Sequence, residues 1–222
     1  MAFWDQEYEG KGRLWGDGPS ELALSIVGYL QKQGPDKCPL HVLDLGCGYG
    51  RDAVYLSAHL PCRVLGVDIS ELAIQMARNA AGELSEQTTE FRCCDWSDLE
   101  SGNYDIIFAS NVYHTLRPDQ RKALRRKIKE VSGAGTLVFL NTLSANDREE
   151  YGKGEPVAGE MHSFQGDKYL HFSTREELAE DFSFLEIKQL YEIEYDEPRG
   201  ERRPHHHKAW ILVGEVAHGQ AR

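Results

Sequence analysis

The sequence predicts an α/β fold, in which a mostly parallel sheet carries helices on both faces. Short apolar segments alternate with longer amphipathic segments along most of the 222 residues, a pattern typical of strands and helices that follow one another. The clearest example is HVLDLGCGYGRDAVYLSA at residues 41–58, where an apolar strand passes through three glycines into an amphipathic helix. The length fits a single domain over residues 1–222.

The first part of the chain, residues 1–34, is predicted to form a cap followed by a helix. Its opening, FWDQEYEGKGRLWGDGPS, is aromatic, acidic and rich in glycine, and this composition disfavours a helix before Pro19 and Ser20. From there a helix is expected to run to about Gln33.

The strand at residues 42–45 ends in Gly46, Gly48 and Gly50. Glycine permits positive φ and has no Cβ, so a bound ligand can approach the backbone closely at this turn. The helix that follows directs its free N–H groups back at the turn. These features indicate a nucleotide-cofactor site, and they leave open which cofactor binds there.

Asp44 narrows the choice of cofactor. The dinucleotide fingerprint is G-x-G-x-x-G, whereas the spacing here is Gly46-Cys47-Gly48-Tyr49-Gly50, with Asp44 two residues before the first glycine. A carboxylate repels a pyrophosphate but attracts an ammonium or a sulfonium group. The sequence therefore favours a positively charged cofactor.

The segment LDLGCGYGRDAVYLS resembles motif I of the class I S-adenosylmethionine-dependent methyltransferases. It is most similar to the small-molecule branch that includes the tellurite-resistance and thiopurine-type methyltransferases. The resemblance extends over most of residues 42–216. It implies S-adenosylmethionine as cofactor, which carries both of those cations and no phosphate. It also implies a Rossmann-like, seven-stranded, mostly parallel sheet that ends in an antiparallel C-terminal hairpin.

Two later strand ends supply further candidate cofactor residues. The strand at 63–67 ends at Asp68, which follows Gly48 by 20 positions, the separation at which an acid reaches ribose hydroxyls. Asp68 is alternatively a helix N-cap, a role that Ser70 serves better. The strand at 89–93 leads to Asp95 and Trp96, which the resemblance assigns to the adenine ring and which are otherwise a solvated turn.

The strand at 104–109 leads to Ser110 and Asn111, which are expected to contact the methionine portion of the cofactor. Arg51 matches an arginine of the tellurite-resistance branch, so it either pairs with the cofactor carboxylate or is exposed in the first helical turn. The expected cofactor-binding residues are Asp44, Gly46, Gly48, Arg51, Asp68, Ile69, Asp95, Trp96, Ser110 and Asn111.

No catalytic residue stands out in the sequence. Tyr113 and His114 follow the fourth strand and are candidates to face the methyl acceptor, although a buried structural role is the alternative for His114. Residues 143–172 are irregular and rich in glycine and charge, which predicts a substrate lid or a surface loop. Within it, Glu160, His162 and His171 are candidates for the acceptor pocket. The candidate catalytic residues are Tyr113, His114, His162 and His171.

The resembled family also suggests a role for the N-terminal aromatic residues. In that family, a segment with a Trp-Asp pair near its start folds over the cofactor or substrate pocket, and Trp4, Tyr8 and Trp15 are the matching aromatics. Alternatively, these rings cover one edge of the sheet. Both alternatives predict partial burial.

The C-terminal half completes the predicted sheet. A helix at 119–131 carries seven basic residues from Arg117 to Lys129, interpreted as a solvated face rather than an RNA-binding surface because Ala123, Leu124 and Ile128 form an apolar stripe. A fifth strand is expected at 136–141. Ser173 or Thr174 is expected to cap the next helix, and strands at 185–195 and 209–216 follow, joined by a loop.

The joining loop contains His205, His206 and His207. Successive side chains of an extended segment point to opposite faces, so only His205 and His207 are placed to share a metal ion. Without partner cysteines at zinc-binding spacing, no metal site is predicted.

Composition restricts the partners and the compartment. Acidic residues number 36 and basic residues 25, giving a net charge of −11 that disfavours nucleic acid and anionic membranes. Five cysteines without a C-x-x-C pair indicate neither a disulfide framework nor a zinc site. No apolar run approaches the roughly 18 residues of a membrane span, and no signal peptide opens the chain. A cytoplasmic location and a small neutral or cationic substrate are expected.

The predicted function is methyl transfer to a small molecule: a thiol, a chalcogen anion or a metabolite hydroxyl. A general base is needed only where the acceptor must lose a proton. Two alternatives remain at this point. One is a catalytically silent S-adenosylmethionine-binding regulatory module, which binds without turnover, and the other is a nicotinamide oxidoreductase, which Asp44 disfavours. The sequence gives no prediction of the oligomeric state.

Overall fold

A computed structural model describes residues 3–13, 15–34, 39–85, 88–100, 102–199 and 202–217. The helices are α1 Phe3–Lys11, α2 Glu21–Gln33, α3 Arg51–His59, α4 Glu71–Ser85, α5 Pro118–Val131 and α6 Arg175–Asp181. The strands are β1 Leu40–Leu45, β2 Cys62–Asp68, β3 Thr89–Cys93, β4 Tyr104–Ala109, β5 Ser132–Leu143, β6 Glu155–Pro156, β7 Ser163–Gln165, β8 Tyr169–His171, β9 Leu185–Arg199 and β10 Arg202–Val216.

Seven strands form the main sheet, in the order β3-β2-β1-β4-β5-β10-β9. The first five pair in parallel, whereas β10 is antiparallel to both β5 and β9. The predicted fold class is therefore confirmed, including the antiparallel C-terminal hairpin. Because β2 and β4 lie on opposite sides of β1, the strand order reverses there, and a crevice opens beyond the carboxyl ends of these strands.

Both faces of the sheet are buried. Along β1, Val42 packs in a cluster with α2, α3 and α4 on one face, whereas Leu43 and Leu45 pack with α5 and α6 on the other. Alternate side chains of β1 therefore pack into two cores, one on each face of the sheet, which explains the continuous apolar run in the sequence. The predicted stripe of α5 is confirmed, since Leu124 and Ile128 are buried.

The prediction that no helix precedes Pro19 is wrong, because α1 forms over Phe3–Lys11. Contacts with the start of α4 account for it: the Asp5 carboxylate accepts a hydrogen bond from the Ser70 hydroxyl at 2.6 Å and one from the Leu72 backbone N–H at 3.4 Å. Tertiary packing thus overrides a weak local propensity. The predicted helix from Ser20 is confirmed, with the Ser20 hydroxyl accepting from the Ala23 N–H.

The predicted loop between the last two strands is mostly strand. Pairing continues to Arg199 in β9 and resumes at Arg202 in β10. Within the strand extension, His206 lies opposite Asp196, and its Nδ1 is 3.0 Å from the Asp196 carboxylate. Opposite charges across the two strands stabilise this pairing, and the same charges made the segment resemble a loop.

The segment 143–172 is more regular than predicted. It forms a separate antiparallel sheet in the order β6-β7-β8, and a bridge between Ser144 and Ser173 lies at its base. Strands of two or three residues are too short to show an alternating pattern in the sequence. Thr174 caps α6 by accepting from the Glu177 N–H, as predicted. The role of this segment as a lid stays a prediction.

Two further observations concern cysteines and membrane spans. Cys47, Cys62, Cys93 and Cys94 carry free thiols, whereas Cys38 lies outside the described residues. Among the helices of the described ranges, none is long and apolar enough to cross a membrane.

Candidate functional site

A cavity of about 380 Å³ opens at the carboxyl ends of β1, β2 and β4. Its volume falls in the range of small-molecule sites. The structure brings together in its wall all ten residues expected to contact the cofactor: Asp44, Gly46, Gly48, Arg51, Asp68, Ile69, Asp95, Trp96, Ser110 and Asn111. Each follows or ends a strand of the main sheet or belongs to the glycine turn, which is why positions far apart in the chain meet here.

The glycine turn after β1 requires glycine at two positions of this wall. Gly46 and Gly48 have φ of 78° and 52°, in the left-handed region. A Cβ on Gly46 would lie 2.5 Å from the Val112 side chain, and one on Gly48 would lie 2.8 Å from the Tyr8 hydroxyl. The Gly46 N–H donates to the Val67 carbonyl at 2.8 Å, which fixes the turn against β2. A ligand can thus contact the backbone of a rigid turn.

Asp44 is the buried acid beside this turn. It is 1 % exposed, lines the cavity, and its Oδ2 has no hydrogen-bond partner in the described part of the chain. Burial raises the pKa of Asp44 well above its usual range, and the nearby Asp52 and Asp68 carboxylates raise it further. A buried carboxylate oxygen without a partner fits a cationic ligand group, which would supply the missing interaction.

Asp68 links the end of β2 to the turn. Its Oδ2 accepts from the Gly48 N–H at 2.8 Å and its Oδ1 accepts from the Ser70 N–H at 2.9 Å. Burial raises the pKa of Asp68, and these backbone hydrogen bonds oppose the rise. Each carboxylate oxygen can accept a second hydrogen bond, so the residue retains capacity for ribose hydroxyls. Ser70 caps α4 as expected, accepting from the Ala73 N–H at 3.1 Å.

Asp95 and Trp96 lie at a turn after β3 and also line the cavity. Asp95 caps a 3₁₀ turn over Trp96–Asp98 by accepting from the Ser97 N–H at 2.8 Å. It is exposed, and it also lines the cavity. Trp96 is half-buried against the core beneath it. A capped turn therefore presents an acid and a ring to the cavity together.

Arg51 ties the glycine turn to the N-terminal segment. Its guanidinium donates to the carbonyls of Trp15 and Gly18, the latter at 3.3 Å. Its Nε lies 3.9 Å from the Asp52 carboxylate. The side chain is largely buried, so the alternative of an exposed first-turn residue does not hold. Pairing with a cofactor carboxylate stays a prediction.

Asn111 is held in an unusual backbone conformation by Asn141. Asn111 has φ of 58°. Its backbone N–H donates to the Asn141 side-chain oxygen at 2.6 Å, and the Asn141 amide donates back to the Asn111 side-chain oxygen at 2.9 Å. The sequence analysis missed Asn141, although a polar residue near the end of the apolar run TLVFLN was a signal.

Ser20 and Asp52 are two further residues that the sequence analysis missed. The Ser20 N–H and hydroxyl donate to the two Asp52 carboxylate oxygens at 2.7 and 2.6 Å. Ser110 donates to the Ser20 hydroxyl at 3.0 Å. These hydrogen bonds join α2, α3 and the end of β4 at the cavity wall, which Asp52 and Ser110 line. No local pattern predicts them, because the partners are distant in sequence.

The N-terminal aromatic residues lie over the cavity. Trp4, Tyr8 and Trp15 all line it, which decides between the two alternatives left open by the sequence. Tyr49 from the glycine turn stacks on Trp15, with ring centroids 6.1 Å apart and planes at 15°. Tyr49 was not expected to take part.

Tyr113 and His114, two candidate catalytic residues, are absent from the described cavity wall. The Tyr113 hydroxyl donates to the Asp181 carboxylate and accepts from Arg125 at 2.6 Å, and burial raises its pKa. Burial lowers the pKa of His114 to about 3, which keeps it neutral. Their roles toward an acceptor stay predictions.

Three candidates from the 143–172 segment also lie outside the described cavity wall. His171 is hydrogen bonded to Ser163 at 3.0 Å and to Glu177 at 2.8 Å. His162 is hydrogen bonded to the Tyr151 hydroxyl at 2.8 Å. Glu160 accepts from the Tyr169 hydroxyl at 2.7 Å. These contacts hold the small sheet together, and a role in acceptor binding stays a prediction.

The three consecutive histidines form ion pairs on alternate faces of β10. His205 lies 3.1 Å from Glu150, and His207 lies 3.4 Å from Asp147 and 3.6 Å from Glu197. Burial lowers the pKa of His207, but the two carboxylates outweigh it and raise the pKa to about 9. Within the described ranges, no group of three or more His, Cys, Asp or Glu residues is arranged to hold a metal ion.

The central part of the chain is similar to known proteins. Residues 42–135 match the model of a methyltransferase domain. The chain is 27 % identical over 148 residues to a sarcosine/dimethylglycine N-methyltransferase from Halorhodospira halochloris, a match that covers 64 % of this chain and 51 % of that protein. The chain thus spans about half the length of this relative.

Solved structures share the fold. A SAM-dependent methyltransferase from Methanosarcina mazei superposes with a TM-score of 0.70 at 21 % identity, covering 82 % of this chain and 94 % of that one. TehB from Haemophilus influenzae superposes with a TM-score of 0.64 at 19 % identity, covering 86 % of this chain and 61 % of that one. Magnesium protoporphyrin IX methyltransferase from Synechocystis PCC 6803, solved with bound SAH, superposes with a TM-score of 0.65 at 16 % identity. The match covers 96 % of this chain and 94 % of that one.

Proposed function

We infer that this chain, whose residues 42–135 match a methyltransferase domain, is a class I S-adenosylmethionine-dependent methyltransferase that transfers a methyl group to a small-molecule acceptor. The observation that carries the inference is the buried Asp44 carboxylate, which lines the cavity with one oxygen unpaired. Beside it, Gly46 and Gly48 put backbone without side chains in the same cavity wall. A positively charged cofactor satisfies both features, and a pyrophosphate satisfies only the second.

The proposed cofactor contacts follow from the donors and acceptors of the wall. Asp44 would hold a cationic group and Asp68 the ribose hydroxyls, while Asp95 and Trp96 would hold the adenine ring. When bound, S-adenosylmethionine supplies a methyl group on a positively charged sulfur, ready for attack by an acceptor lone pair, with the electrons of the broken bond left on sulfur.

The residues of this chain contribute mainly position and shielding. No histidine or lysine belongs to the cavity wall in the described ranges, and burial raises the pKa of the Tyr8 hydroxyl. Burial also raises the pKa of the wall thiols Cys47 and Cys94, so neither is a ready nucleophile. Holding an acceptor in line with the methyl group replaces random collision by a fixed approach, which can account for a large part of the rate.

The acceptor class is open at this level. The sequence favours a thiol, a chalcogen anion or a metabolite hydroxyl, and the resemblance to the tellurite-resistance branch supports the chalcogen anion. The name of the Halorhodospira relative adds an amine to these candidates. We also propose that residues 1–222 form one domain with a substrate lid at 143–172, and that it works in the reducing cytoplasm, since the described cysteines carry free thiols.

Calorimetry with S-adenosylmethionine tests the proposed cofactor site. Wild type should bind, and Asp68→Ala should bind at least about tenfold more weakly because hydrogen bonds to a charged group are lost. Asp68→Asn serves as a milder second variant. Asp98→Ala, an exposed acid in the same region, is the matched control and should bind like wild type. Equal binding by all four proteins, or none by wild type, would contradict the proposal.

A further inference from the structure

Four aromatic rings of the cavity wall form a continuous surface that none of the proposed cofactor contacts uses. Trp15 is its centre, with ring centroids 6.4 Å from Trp4, 5.9 Å from Tyr8 and 6.1 Å from Tyr49. Tyr8 and Tyr49 are also in contact, at 6.2 Å. All four line the cavity. We call these four residues the aromatic wall.

The aromatic wall is fixed by polar contacts to the glycine turn. The Trp15 N–H donates to the Tyr49 hydroxyl at 3.1 Å, and that hydroxyl donates to the Gly16 carbonyl at 2.7 Å. Arg51 donates to the Trp15 carbonyl. Tyr8 is 4 % exposed. Because the rings are held in place by these contacts, little side-chain freedom is lost when a ligand binds against them.

The charges of the cavity wall are mostly negative. Its acids are Asp44, Asp52, Asp68 and Asp95, and its one cationic side chain in the described ranges is Arg51. That guanidinium already serves two backbone carbonyls and lies near Asp52. An anionic acceptor would therefore enter a negative cavity without a free cation to receive it, whereas a cation is attracted.

We propose that the methyl acceptor is an amine, which binds in its ammonium form against the faces of Trp4, Tyr8 and Trp15. Aromatic faces attract cations through the ring quadrupole, and the acids of the wall add to this attraction. The proposal rests on the proposed methyl transfer and names its acceptor class. It disfavours the chalcogen anion and the thiolate.

The charge changes of the acceptor are consistent with this wall. The bound ammonium releases one proton to water, which frees the nitrogen lone pair. The nitrogen then forms a bond to the methyl carbon as the carbon–sulfur bond breaks with its electron pair left on sulfur. The nitrogen regains its positive charge, so the wall faces a cation both before and after transfer.

Binding of an ammonium probe separates charge from shape. Calorimetry would compare choline with its neutral carbon analogue, in which a tert-butyl group replaces the trimethylammonium group, with and without S-adenosylhomocysteine. We expect choline to bind at least about fivefold more tightly than the analogue, as a cation–π site predicts. Tellurite, the anionic competitor, should show no binding.

Variants locate the probe on the aromatic wall. Trp4→Leu should weaken choline binding about fivefold, by more than it weakens S-adenosylhomocysteine binding, whereas Trp4→Phe should retain most of the affinity for choline. Tyr191→Leu is the control, since Tyr191 is exposed on β9 and lies outside the cavity wall.

Equal affinity for choline and its neutral analogue, tighter binding of tellurite, or an unaltered Trp4→Leu variant would each overturn the inference. Failure of S-adenosylhomocysteine to bind would instead count against the proposed function. Because choline is also measured alone, the amine inference is still judged in that case.

Discussion

The side chain of Asn141 closes a two-bond ring with Asn111: it accepts from the Asn111 backbone N–H at 2.6 Å and donates to the Asn111 side-chain oxygen at 2.9 Å. Asn111 has φ of 58°, which costs energy in a residue with a Cβ. Asn141 is 1 % exposed. A buried amide in β5 therefore sets the backbone conformation of a residue in the cavity wall.

Replacement of Asn141 should remove the hydrogen bonds that hold the Asn111 backbone to β5. We expect Asn141→Ala to lose about 1–3 kcal/mol of unfolding free energy, because buried polar groups of Asn111 lose their partner. Urea unfolding measures this loss, and calorimetry should show weaker S-adenosylhomocysteine binding.

Two further variants test the cause of that loss. Adding Asn111→Gly should recover part of the stability, because glycine adopts positive φ without strain. Asn103→Ala, at an exposed asparagine just before β4, should behave like wild type. A double variant no more stable than Asn141→Ala would show that the positive φ of Asn111 costs little energy.

The parts of the site that the sequence predicted are those with local signals. Asp44, Gly46 and Asp68 each stand at the end of an apolar strand, and parallel strands bring such ends to one edge of the sheet. Their spacing in the chain is therefore sufficient to predict that they meet.

The missed parts depend on pairs of distant residues. Ser20 and Asp52 are 32 positions apart, and Asn111 and Asn141 are 30 apart, so the sequence does not show which residues pair. Helix α1 was missed for the same reason, since Asp5 is satisfied only by α4. The extended C-terminal hairpin was missed because its cross-strand pairs, such as His206 with Asp196, are charged residues that in sequence resemble a polar loop.

Asp44 is expected to trade stability for binding. Burial raises its pKa, so the folded state holds the proton more tightly than the unfolded state. The charged carboxylate therefore destabilises the fold increasingly as pH rises from the unfolded pKa toward the folded pKa. We predict that Asp44→Asn gains at least about 1 kcal/mol at neutral pH in the absence of cofactor, and loses about tenfold in S-adenosylmethionine affinity.

Urea unfolding of the cofactor-free proteins at acidic and neutral pH measures how the stability difference between Asp44→Asn and wild type changes with pH. The stability advantage of Asp44→Asn should grow as pH rises and should be small in acid. An advantage that is constant with pH, or S-adenosylmethionine affinity equal to that of wild type, would show that the carboxylate is not an unpaired charge awaiting a cation.

His207 should make stability fall in alkaline solution. Its pKa is raised from 6.5 to about 9, because Asp147 and Glu197 outweigh the effect of burial. The contribution is complete below the unfolded pKa and is lost as pH rises through about 9. We expect up to about 3 kcal/mol of unfolding free energy to depend on this proton.

Thermal unfolding between mildly acidic and alkaline pH measures the contribution of His207. Wild type should lose stability over this window, whereas His207→Gln should be less stable at the acidic end and should vary less. His41→Gln, at an exposed histidine of β1, is the control and should follow wild type. Parallel curves for wild type and His207→Gln would contradict the assigned ion pairs.

Tyr169 joins the small sheet to α5, so its replacement tests whether this sheet can open as a lid. Its hydroxyl receives a hydrogen bond from Arg121 at 3.0 Å, donates to Glu160 at 2.7 Å and lies 3.0 Å from the Ser163 hydroxyl.

Tyr169→Phe removes all three contacts and keeps the ring, so we expect a loss of about 1–3 kcal/mol of unfolding free energy. Hydrogen exchange should then speed up in 155–171 while β1 and β4 stay protected, because local opening follows the weakest contacts. Tyr55→Phe, at a half-buried tyrosine of α3, is the control and should leave exchange in 155–171 unchanged. If exchange instead rises equally across the main sheet, the small sheet opens only with the whole domain and cannot act as a separate lid.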